Sequence, residues 1–422
     1  MVSFGYFLTA AVMVSTMALL SKPKKTSDKD QEALNDFFKL TGFCNKKEQP
    51  EYARVKWVND YENYKIFGIN IPVGCDINIL LRMKYALENL FENDVEILYD
   101  NQNYRVKVFK GKLKKAQDYP FTPIAIPDRN HLYITPAVSL AGPMTIDLTS
   151  TLPNILLAGT SGSGKSTLVK SIICQLLENY EPHEFNLMYM DNKGGVESNL
   201  FKNIKHLTVR TKNPGETIDA LIDLKQEMFA RMELLEKQNV TSIVDYNKAV
   251  SDENKLPFVL AVIDELFSFS TLPTSSNNPN DTHTQKVAYR TMGEIASMCR
   301  AAGIHLMFCT QKPTSDVIPT YITCNCGIRI GLRTSNEQES RNIIEENGLE
   351  LISNEDIGAG IVKTGGMTRI QSFWLTDYKV KEICKKHRGE PKKAVKIGIL
   401  EEGAKEEIKK QNLDWREIAR GM

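Results

Sequence analysis

The sequence predicts an α/β protein whose main domain is a mainly parallel sheet covered by helices. A small α+β domain and a single N-terminal transmembrane helix are predicted before it. Three observations predict this organisation. From Pro136 onward, strand-like runs alternate with amphipathic helical runs, which favours parallel strands joined by helices. The run from Phe258 to Ile263 is entirely apolar, as a strand buried on both faces should be. Residues 1–21 contain no charged side chain.

Length and composition set the first limits on function. The 422 residues are enough for two to three domains of roughly 150 residues each. Lysine and arginine number 53 against 52 acidic residues, so no overall field draws the chain to nucleic acid or acidic lipid. Eight scattered cysteines are too few for a disulfide framework. Any nucleic-acid surface must therefore be local.

The N-terminal apolar segment predicts a membrane anchor. At about 1.5 Å per residue, residues 1–21 just span a hydrocarbon core of ~30 Å. The positive charge follows the segment, at Lys22, Lys24 and Lys25, whereas a secretory signal peptide carries its charge before the apolar stretch. The positive-inside tendency then places the rest of the chain in the cytoplasm. We expect a single-pass protein of the cell membrane; a cleaved signal or a buried helix are the alternatives.

Two regions precede the main domain. Residues 22–50 are polar and charged, with a short apolar helical patch, and predict a linker. Residues 51–125 predict a small α+β domain, too short to hold a nucleotide site by itself, that serves as a spacer or assembly module. Its pattern predicts a strand, a helix and two further strands, over 64–72, 77–91, 95–99 and 104–109.

Residues 136–390 predict the main domain, and residues 391–422 a charged tail. Strands are predicted over 154–158, 185–190, 258–263, 304–309 and 327–332, and helices over 165–180 and 217–237.

A glycine-rich segment between the first of these strands and its helix carries the strongest signal. The segment GTSGSGKS satisfies the phosphate-loop pattern G-x-x-x-x-G-K-[ST] in full. In such a loop, backbone N–H groups turn inward around phosphates, and the helix N-terminus favours anionic charge. We expect Lys165 to hold the β- and γ-phosphates and Ser166 the Mg²⁺. The predicted nucleotide-binding residues are Gly159, Thr160, Ser161, Gly162, Ser163, Gly164, Lys165, Ser166 and Thr167. The main domain is thus predicted to be a P-loop NTPase that binds ATP.

Polar residues at the ends of two other strands complete the predicted site. Asp264 follows the apolar run and is expected to complete the Mg²⁺ shell, while Glu265 orients and deprotonates the attacking water. Gln311 ends the strand after it, where it reaches the γ-phosphate or the water. The adjacent glutamate favours ATP hydrolysis; solvated residues at strand ends are the alternative. Because the loop is expected at the surface, Lys165→Ala should abolish turnover without disturbing the fold.

Further motifs follow these in a fixed order. They are LPNILLAG from Leu152, MDNKGGVE from Met190, Tyr246-Asn247, RAAGIH from Arg300, TQKP from Thr310 and Ser340-Arg341. Together with the phosphate loop and Asp264-Glu265, this series resembles the FtsK/SpoIIIE group of membrane-anchored, hexameric, DNA-translocating ATPases, over about residues 138–377.

The resemblance implies a motor domain of the RecA-like P-loop NTPase type and a homo-hexamer that acts on DNA. It also implies that Arg300 is an arginine finger completing a neighbouring subunit's site, with Arg329 and Arg341 as weaker candidates for that or a sensing role. Arg300 as an ordinary helix-end cation is the alternative. Loops 271–284 and 312–321 are candidates for the lumen of the ring, or variable surface loops.

Departures from the family pattern refine the expectation. Asp191-Asn192-Lys193 stands where the family usually has Asp-Pro-Lys, and Gln311-Lys312-Pro313 where it usually has Gln-Arg-Pro. With the Gly194-Gly195 pair, this is more similar to the coupling-protein variants of conjugative elements. The tail looks too short and charged for a winged-helix module that reads DNA sequence, so sequence-directed movement is not expected.

The leading hypothesis is therefore a membrane-anchored DNA translocase of conjugative transfer or segregation, partnered by relaxase or transfer-channel proteins. Two alternatives stay open. One is a protein-secretion motor of the same fold, although such chains usually carry several motor domains. The other is a non-hydrolysing membrane docking subunit, against which the intact Glu265 argues.

Overall fold

The computed structural model describes residues 29–390, except 101–102, 112, 114–116, 121–122, 152, 252–253, 276 and 278–282. The predicted transmembrane anchor and charged tail lie outside the described residues. Within the described part of the chain, no helix has both the length and the apolar character needed to cross a membrane. The chain divides into two compact units, the first ending at Leu113 and the second beginning at Lys114.

The first unit is a four-stranded antiparallel sheet with helices. Its strands are β1 (Arg54–Asp60), β2 (Tyr64–Asn70), β3 (Val95–Asp100) and β4 (Asn103–Phe109), in the order β1-β2-β4-β3. Its helices are α1 (Lys29–Leu40), α2 (Ile77–Arg82) and α3 (Lys84–Phe91). The single helix predicted over 77–91 is thus two helices, and β1 was not predicted.

Helix α1 lies in the stretch that the sequence predicted as a linker. Leu34 and Phe38 are fully buried and pack in one cluster with Phe43 and Phe67. Their spacing of four places both side chains on one face of the helix, and that face covers the sheet. The apolar patch of the predicted linker is therefore part of the core of the first unit.

The second unit is built on one large mixed sheet. Its strands are β5 (Gln117–Asp118), β6 (Tyr133–Ser139), β7 (Gly142–Asp147), β8 (Ile155–Ala158), β9 (Phe185–Asp191), β10 (Leu207–Thr211), β11 (Phe258–Asp264), β12 (Ile304–Thr310), β13 (Ile328–Leu332), β14 (Ala359–Lys363) and β15 (Met367–Trp374). The strand order is β10-β9-β11-β12-β8-β13-β14-β15-β6-β7, and β5 pairs with β15.

Helices connect and cover these strands. They are α4 (Lys165–Asn179), α5 (Pro214–Lys237), α6 (Ile243–Ala249), α7 (Phe267–Ser270), α8 (Gln285–Met298), α9 (Thr320–Thr323), α10 (Glu337–Ile344) and α11 (Asp377–Lys386), with 3-10 turns at Ser198–Phe201 and Leu349–Leu351. Local chemistry fixes their starts. The side chain of Asn213, for example, accepts from the N–H of Glu216 at 2.9 Å, and Pro214 opens α5.

The six strands from β10 to β13 are all parallel, which confirms the predicted α/β class with a largely parallel sheet. Every residue of β11 is buried, as its apolar run predicted. The far side of the sheet differs from the prediction, because β14, β15, β6 and β7 pair antiparallel. Alternate residues of β11 belong to two clusters: Leu260 packs with residues of α4, whereas Ala261 packs with residues of α5 and α8. Helices therefore cover both faces of the parallel part.

Candidate nucleotide-binding site

The glycine-rich loop leaves the carboxyl end of β8 and enters α4 at Lys165. Gly162 and Gly164 have φ angles of +77° and +102°, in the left-handed region that favours glycine. A Cβ on Gly164 would lie 3.0 Å from the backbone nitrogen of Gly358, so this position also needs glycine for close packing. The first N–H groups of α4 have no partner within the helix, and they can bind an anion.

The loop also contains a buried hydroxyl that is ready for a ligand. Ser163 is 2% exposed, yet its Oγ has no hydrogen-bond partner among the described residues. A buried polar atom without a partner is uncommon, and a phosphate oxygen would satisfy it. Ser166 and Thr167 are half-buried at the start of α4. These groups fit a nucleotide's phosphates and their metal ion.

Lys165 is buried, although the sequence predicted an exposed loop. Its Nζ lies 2.7 Å from Oδ1 of Asp264, and both side chains are 3% exposed. Burial disfavours the charged ammonium, but attraction to the Asp264 carboxylate outweighs it and leaves the pKa of Lys165 raised. Removing Lys165 would leave a buried, unpaired carboxylate. We therefore no longer expect Lys165→Ala to leave the stability of the fold unchanged.

Both carboxylate oxygens of Glu265 are engaged. Oε2 lies 2.8 Å from Nζ of Lys193, and the Glu265 side chain is 8% exposed. Oε1 accepts from Oγ1 of Thr310 at 3.0 Å and from the N–H of Gln311 at 3.2 Å. The backbone of Glu265 has a φ of +73°, which is strained for a residue with a Cβ. The carboxylate contacts the end of β12, and this strained backbone lies at a position that the sequence predicted to be catalytic.

The segment that carries Lys193 is tied down by hydrogen bonds at the end of β9. The carboxylate of Asp191 accepts from the N–H groups of Lys193 and Ser198, at 3.0 and 3.1 Å. Arg210 donates to the carbonyl oxygen of Gly195 at 2.7 Å and to Oγ of Ser198 at 2.9 Å. The segment therefore holds Lys193 against Glu265. The sequence marked this segment as a family motif but gave no signal for that pairing.

The other predicted site residues lie at different distances from this centre. Gln311 is at the site through its backbone N–H. Arg300 is exposed and lies just before β12, at the amino-terminal ends of the parallel strands, whereas the phosphate loop lies at their carboxyl ends. The seven residues of β12, at about 3.3 Å each, separate these two ends by about 20 Å. Arg300 therefore cannot reach the phosphate loop of its own chain.

The two weaker arginine candidates make local contacts. Arg329 donates to Oε1 of Glu345 at 2.8 Å and to the carbonyl oxygen of Thr323 at 3.0 Å. Arg341 lies on α10 and donates to Oδ1 of Asn347 at 2.9 Å. Both guanidinium groups are thus engaged within their own chain.

The two candidate lumen loops border a common surface cleft. The cleft has a volume of about 830 Å³ and lies along α8. Thr274 belongs to the first loop, and Ser315, Asp316 and Tyr321 belong to the second. Their role in a lumen stays a prediction.

One arginine at the site was missed by the sequence analysis. Arg333 directly follows β13, and its carbonyl oxygen accepts from the N–H of Thr160 at 2.9 Å. Its guanidinium donates to the carbonyl oxygen of Ser161 at 3.4 Å. The rule that carboxyl ends of parallel strands meet at one edge would have placed Arg333 here, had it been applied to β13.

Part of the second unit matches a known protein family. The model of the FtsK/SpoIIIE family matches residues 129–347. Among curated proteins, the chain is 32% identical over 291 residues to the DNA translocase FtsK of Staphylococcus aureus, which covers 66% of this chain and 34% of that protein. It is 34% identical over 242 residues to the DNA translocase FtsK of Listeria monocytogenes, which covers 55% of this chain and 30% of that protein. The chain thus spans about a third of these relatives.

Solved structures share the fold at lower identity. The pCW3 conjugation coupling protein TcpA, solved with ATPγS, has a TM-score of 0.58 and 21% identity, over 86% of this chain and all of that one. The cytoplasmic domain of the Type VII secretion ATPase EccC of Thermomonospora curvata has a TM-score of 0.55 and 22% identity, over 68% of this chain and 34% of that one. At this identity the likeness concerns the fold alone.

Proposed function

The chain belongs to the FtsK/SpoIIIE family, a family of ATPases, and on that basis we propose that it is an ATP-driven DNA translocase. The observation that carries the proposal is the meeting of Lys165, Asp264 and Glu265 at one edge of the parallel sheet. The name of the curated relatives supports DNA as the molecule that is moved. The proposed setting is a homo-hexameric ring in conjugative transfer or segregation.

The chemistry of the site is the transfer of the γ-phosphoryl group of ATP to water. Water forms a bond to the γ-phosphorus while the bond to the oxygen bridging to the β-phosphate breaks. Lys165 and the N–H groups of the loop hold the phosphates, and Glu265 takes the proton from the water. Ser166 and Asp264 would hold Mg²⁺, which supplies positive charge against the phosphate oxygens. Gln311, whose backbone N–H contacts Glu265, would orient the water through its side chain.

Lys165 and Asp264, the residues that would bind phosphate and Mg²⁺, neutralise each other at 2.7 Å. Binding of a nucleotide with its metal ion would give each of these buried charges a new partner of opposite charge, so neither would be left unpaired.

The membrane setting is a separate part of the proposal. Residues 1–21 would anchor the chain in the cell membrane and leave the ATPase on the cytoplasmic side, near its relaxase or transfer-channel partners. The test compares the full chain with a variant that lacks residues 1–21. The full chain should stay with membranes after alkaline carbonate extraction, whereas the shortened chain should be released. Release of both would contradict the anchor.

The experiment that tests the catalytic part is steady-state ATP hydrolysis by the full chain in mild detergent. It is measured without DNA, with duplex DNA and with single-stranded DNA. The blank is Glu265→Gln, which keeps the shape of the side chain but cannot take the proton. DNA should stimulate turnover severalfold above this blank. Turnover that ignores DNA would favour a protein-secretion motor, and absence of turnover would favour a docking subunit.

A further inference from the structure

The phosphate loop follows β8, and the strands on the two sides of β8 bring different residues to it. Strands β12 and β11 lie on one side of β8 and carry Gln311, Asp264 and Glu265. Strands β13 and β14 lie on the other side. The end of β13 brings Arg333 to this edge, and the segment 353–358 reaches the same edge because β14 is antiparallel to β13.

Segment 353–358 packs directly on the phosphate loop. The N–H of Gly358 donates to the carbonyl oxygen of Ser163 at 2.9 Å. The Cγ2 atom of Ile357 lies 3.4 Å from the position of a Cβ on Gly164. The backbone of the segment is fixed from behind, because Nε2 of Gln371 donates to the carbonyl oxygen of Ile357 at 2.8 Å. The segment is therefore a preformed wall beside the start of α4.

Arg333 ties this wall to the loop. Its carbonyl oxygen accepts from both the N–H and Oγ1 of Thr160, at 2.9 and 3.1 Å. Its guanidinium donates through Nη2 to the carbonyl oxygen of Ser161 and through Nη1 to Oδ1 of Asn354. One planar side chain thus bridges the middle of the phosphate loop and the wall. A guanidinium can hold both acceptors in a fixed fork, whereas an ammonium cannot.

The order of the strands indicates which part of a nucleotide would contact segment 353–358. Asp264 and Glu265, the two carboxylates proposed to act at the γ-phosphate end of the nucleotide, lie on the β11 side. The terminal phosphate must therefore point toward β11, and the nucleoside must leave the loop on the β13 side. There it meets Ile357, a large apolar side chain that is 46% exposed. Nucleotide sites are lined mainly by apolar side chains with a few placed polar groups.

We propose that segment 353–358 is the nucleobase side of the nucleotide site, with Ile357 packing against the base and Arg333 positioning the segment on the phosphate loop. This inference rests on the proposed ATPase function. It assigns Ile357 to binding and Arg333 to positioning, and it gives neither residue a part in bond breaking. Both residues should therefore act on the KM for ATP and much less on kcat.

The test uses ATP and inorganic tripolyphosphate, which carries three phosphates but no base or ribose. In the full chain, Ile357→Ala should raise the KM for ATP about three- to tenfold and leave kcat within about twofold, since it removes apolar contact only. Competitive inhibition by tripolyphosphate should stay within about twofold of the unmodified chain. The matched control is Leu351→Ala, which removes another exposed apolar side chain, 68% exposed, from the 3-10 turn upstream.

Three results separate the possibilities. Equal weakening of ATP and tripolyphosphate by Ile357→Ala would show that the segment acts on the phosphates and would overturn the inference. An unchanged KM for ATP would overturn it as well. A wild-type chain that neither binds nor hydrolyses ATP would overturn the proposed function, and this inference with it.

Arg333 has its own variants. Arg333→Ala and Asn354→Ala should each raise the KM for ATP, and the double variant should add little to Arg333→Ala, because that change already removes the contact with Asn354. Arg333→Lys keeps the charge but loses the fork, so it should not restore the KM. Full restoration by lysine would show that charge alone matters, and would overturn the positioning role.

Discussion

Nζ of Lys193 lies 2.8 Å from Oε2 of Glu265, so the carboxylate proposed to be catalytic is held by an ion pair from the neighbouring strand end. The other oxygen is occupied by Thr310 and Gln311. Three partners occupy most of the roughly four acceptor sites of this carboxylate, so the loss of one partner would leave it freer to take a proton from water. The lysine side chain is 36% exposed and is therefore the partner most easily displaced.

We expect Lys193→Ala to raise hydrolysis in the absence of DNA and to reduce the stimulation by DNA. Loss of this partly exposed ion pair is worth about 1 kcal/mol, or about fivefold in rate. The measurement is the kcat of the full chain with and without DNA, and Lys193→Arg, which keeps the pair, is the control. A fall in kcat as large as that of Glu265→Gln would show instead that Lys193 takes part in the reaction.

Removing Lys165 should lower stability as well as turnover. A buried ion pair broken on one side costs about 3–5 kcal/mol, because the remaining charge is left unpaired. Lys165→Ala should therefore unfold several degrees below the wild type in thermal unfolding followed by circular dichroism. Lys165→Ala combined with Asp264→Asn should recover part of that loss. If the double variant is no more stable than Lys165→Ala, the pair is not the cause.

Arg300 can serve a phosphate loop only across a subunit interface, since its own loop lies at the opposite edge of the sheet. In the proposed ring, Arg300→Ala and Glu265→Gln chains should each be inactive alone, and mixtures of the two should regain activity. With random mixing, about a quarter of the interfaces carry both an intact finger and an intact glutamate, which sets the expected recovery. ATP hydrolysis of the mixture measures it. No recovery after verified exchange of subunits would argue against a finger in trans.

Stability should also fall in mild acid. Burial lowers the pKa of His305 and of His206 to about 4 in each case, against about 6.5 in an unfolded chain. The unfolded state therefore binds more protons between these values. Each histidine then contributes up to about 3 kcal/mol that is present above pH 6.5 and is lost as the pH falls toward 4.

The pH effect is measured as thermal unfolding between pH 7.5 and 4.5. His305→Gln is expected to be less stable at neutral pH, yet its unfolding temperature should change less with pH. His183→Gln, at an exposed position, is the control and should keep the wild-type slope. If the unfolding temperature of His305→Gln changes with pH as much as that of the wild type, this histidine is not a cause of the acid effect.

The hydrophobic pattern of single segments predicted much of the fold. The parallel strands and α4 were predicted because apolar runs and helical stripes are properties of single segments, and β11 and α4 bury the residues that those patterns marked. Local pattern failed for α1, β1 and the antiparallel strands β14 and β15. Leu34 and Phe38 form too short an apolar face to distinguish a core helix from a linker, and pairing direction depends on partners remote in the chain.

The sequence by itself determined which chemistry the site is built for. A complete phosphate-loop pattern, an acidic pair after a buried strand and an ordered series of motifs are all legible in one dimension, and the family follows from them. Only the tertiary structure decided how these groups meet. It buried Lys165 against Asp264, engaged Glu265 with Lys193, and brought Arg333 and Ile357 to the loop from β13 and β14. These contacts join residues far apart in sequence, and the strand order alone sets which ends are neighbours.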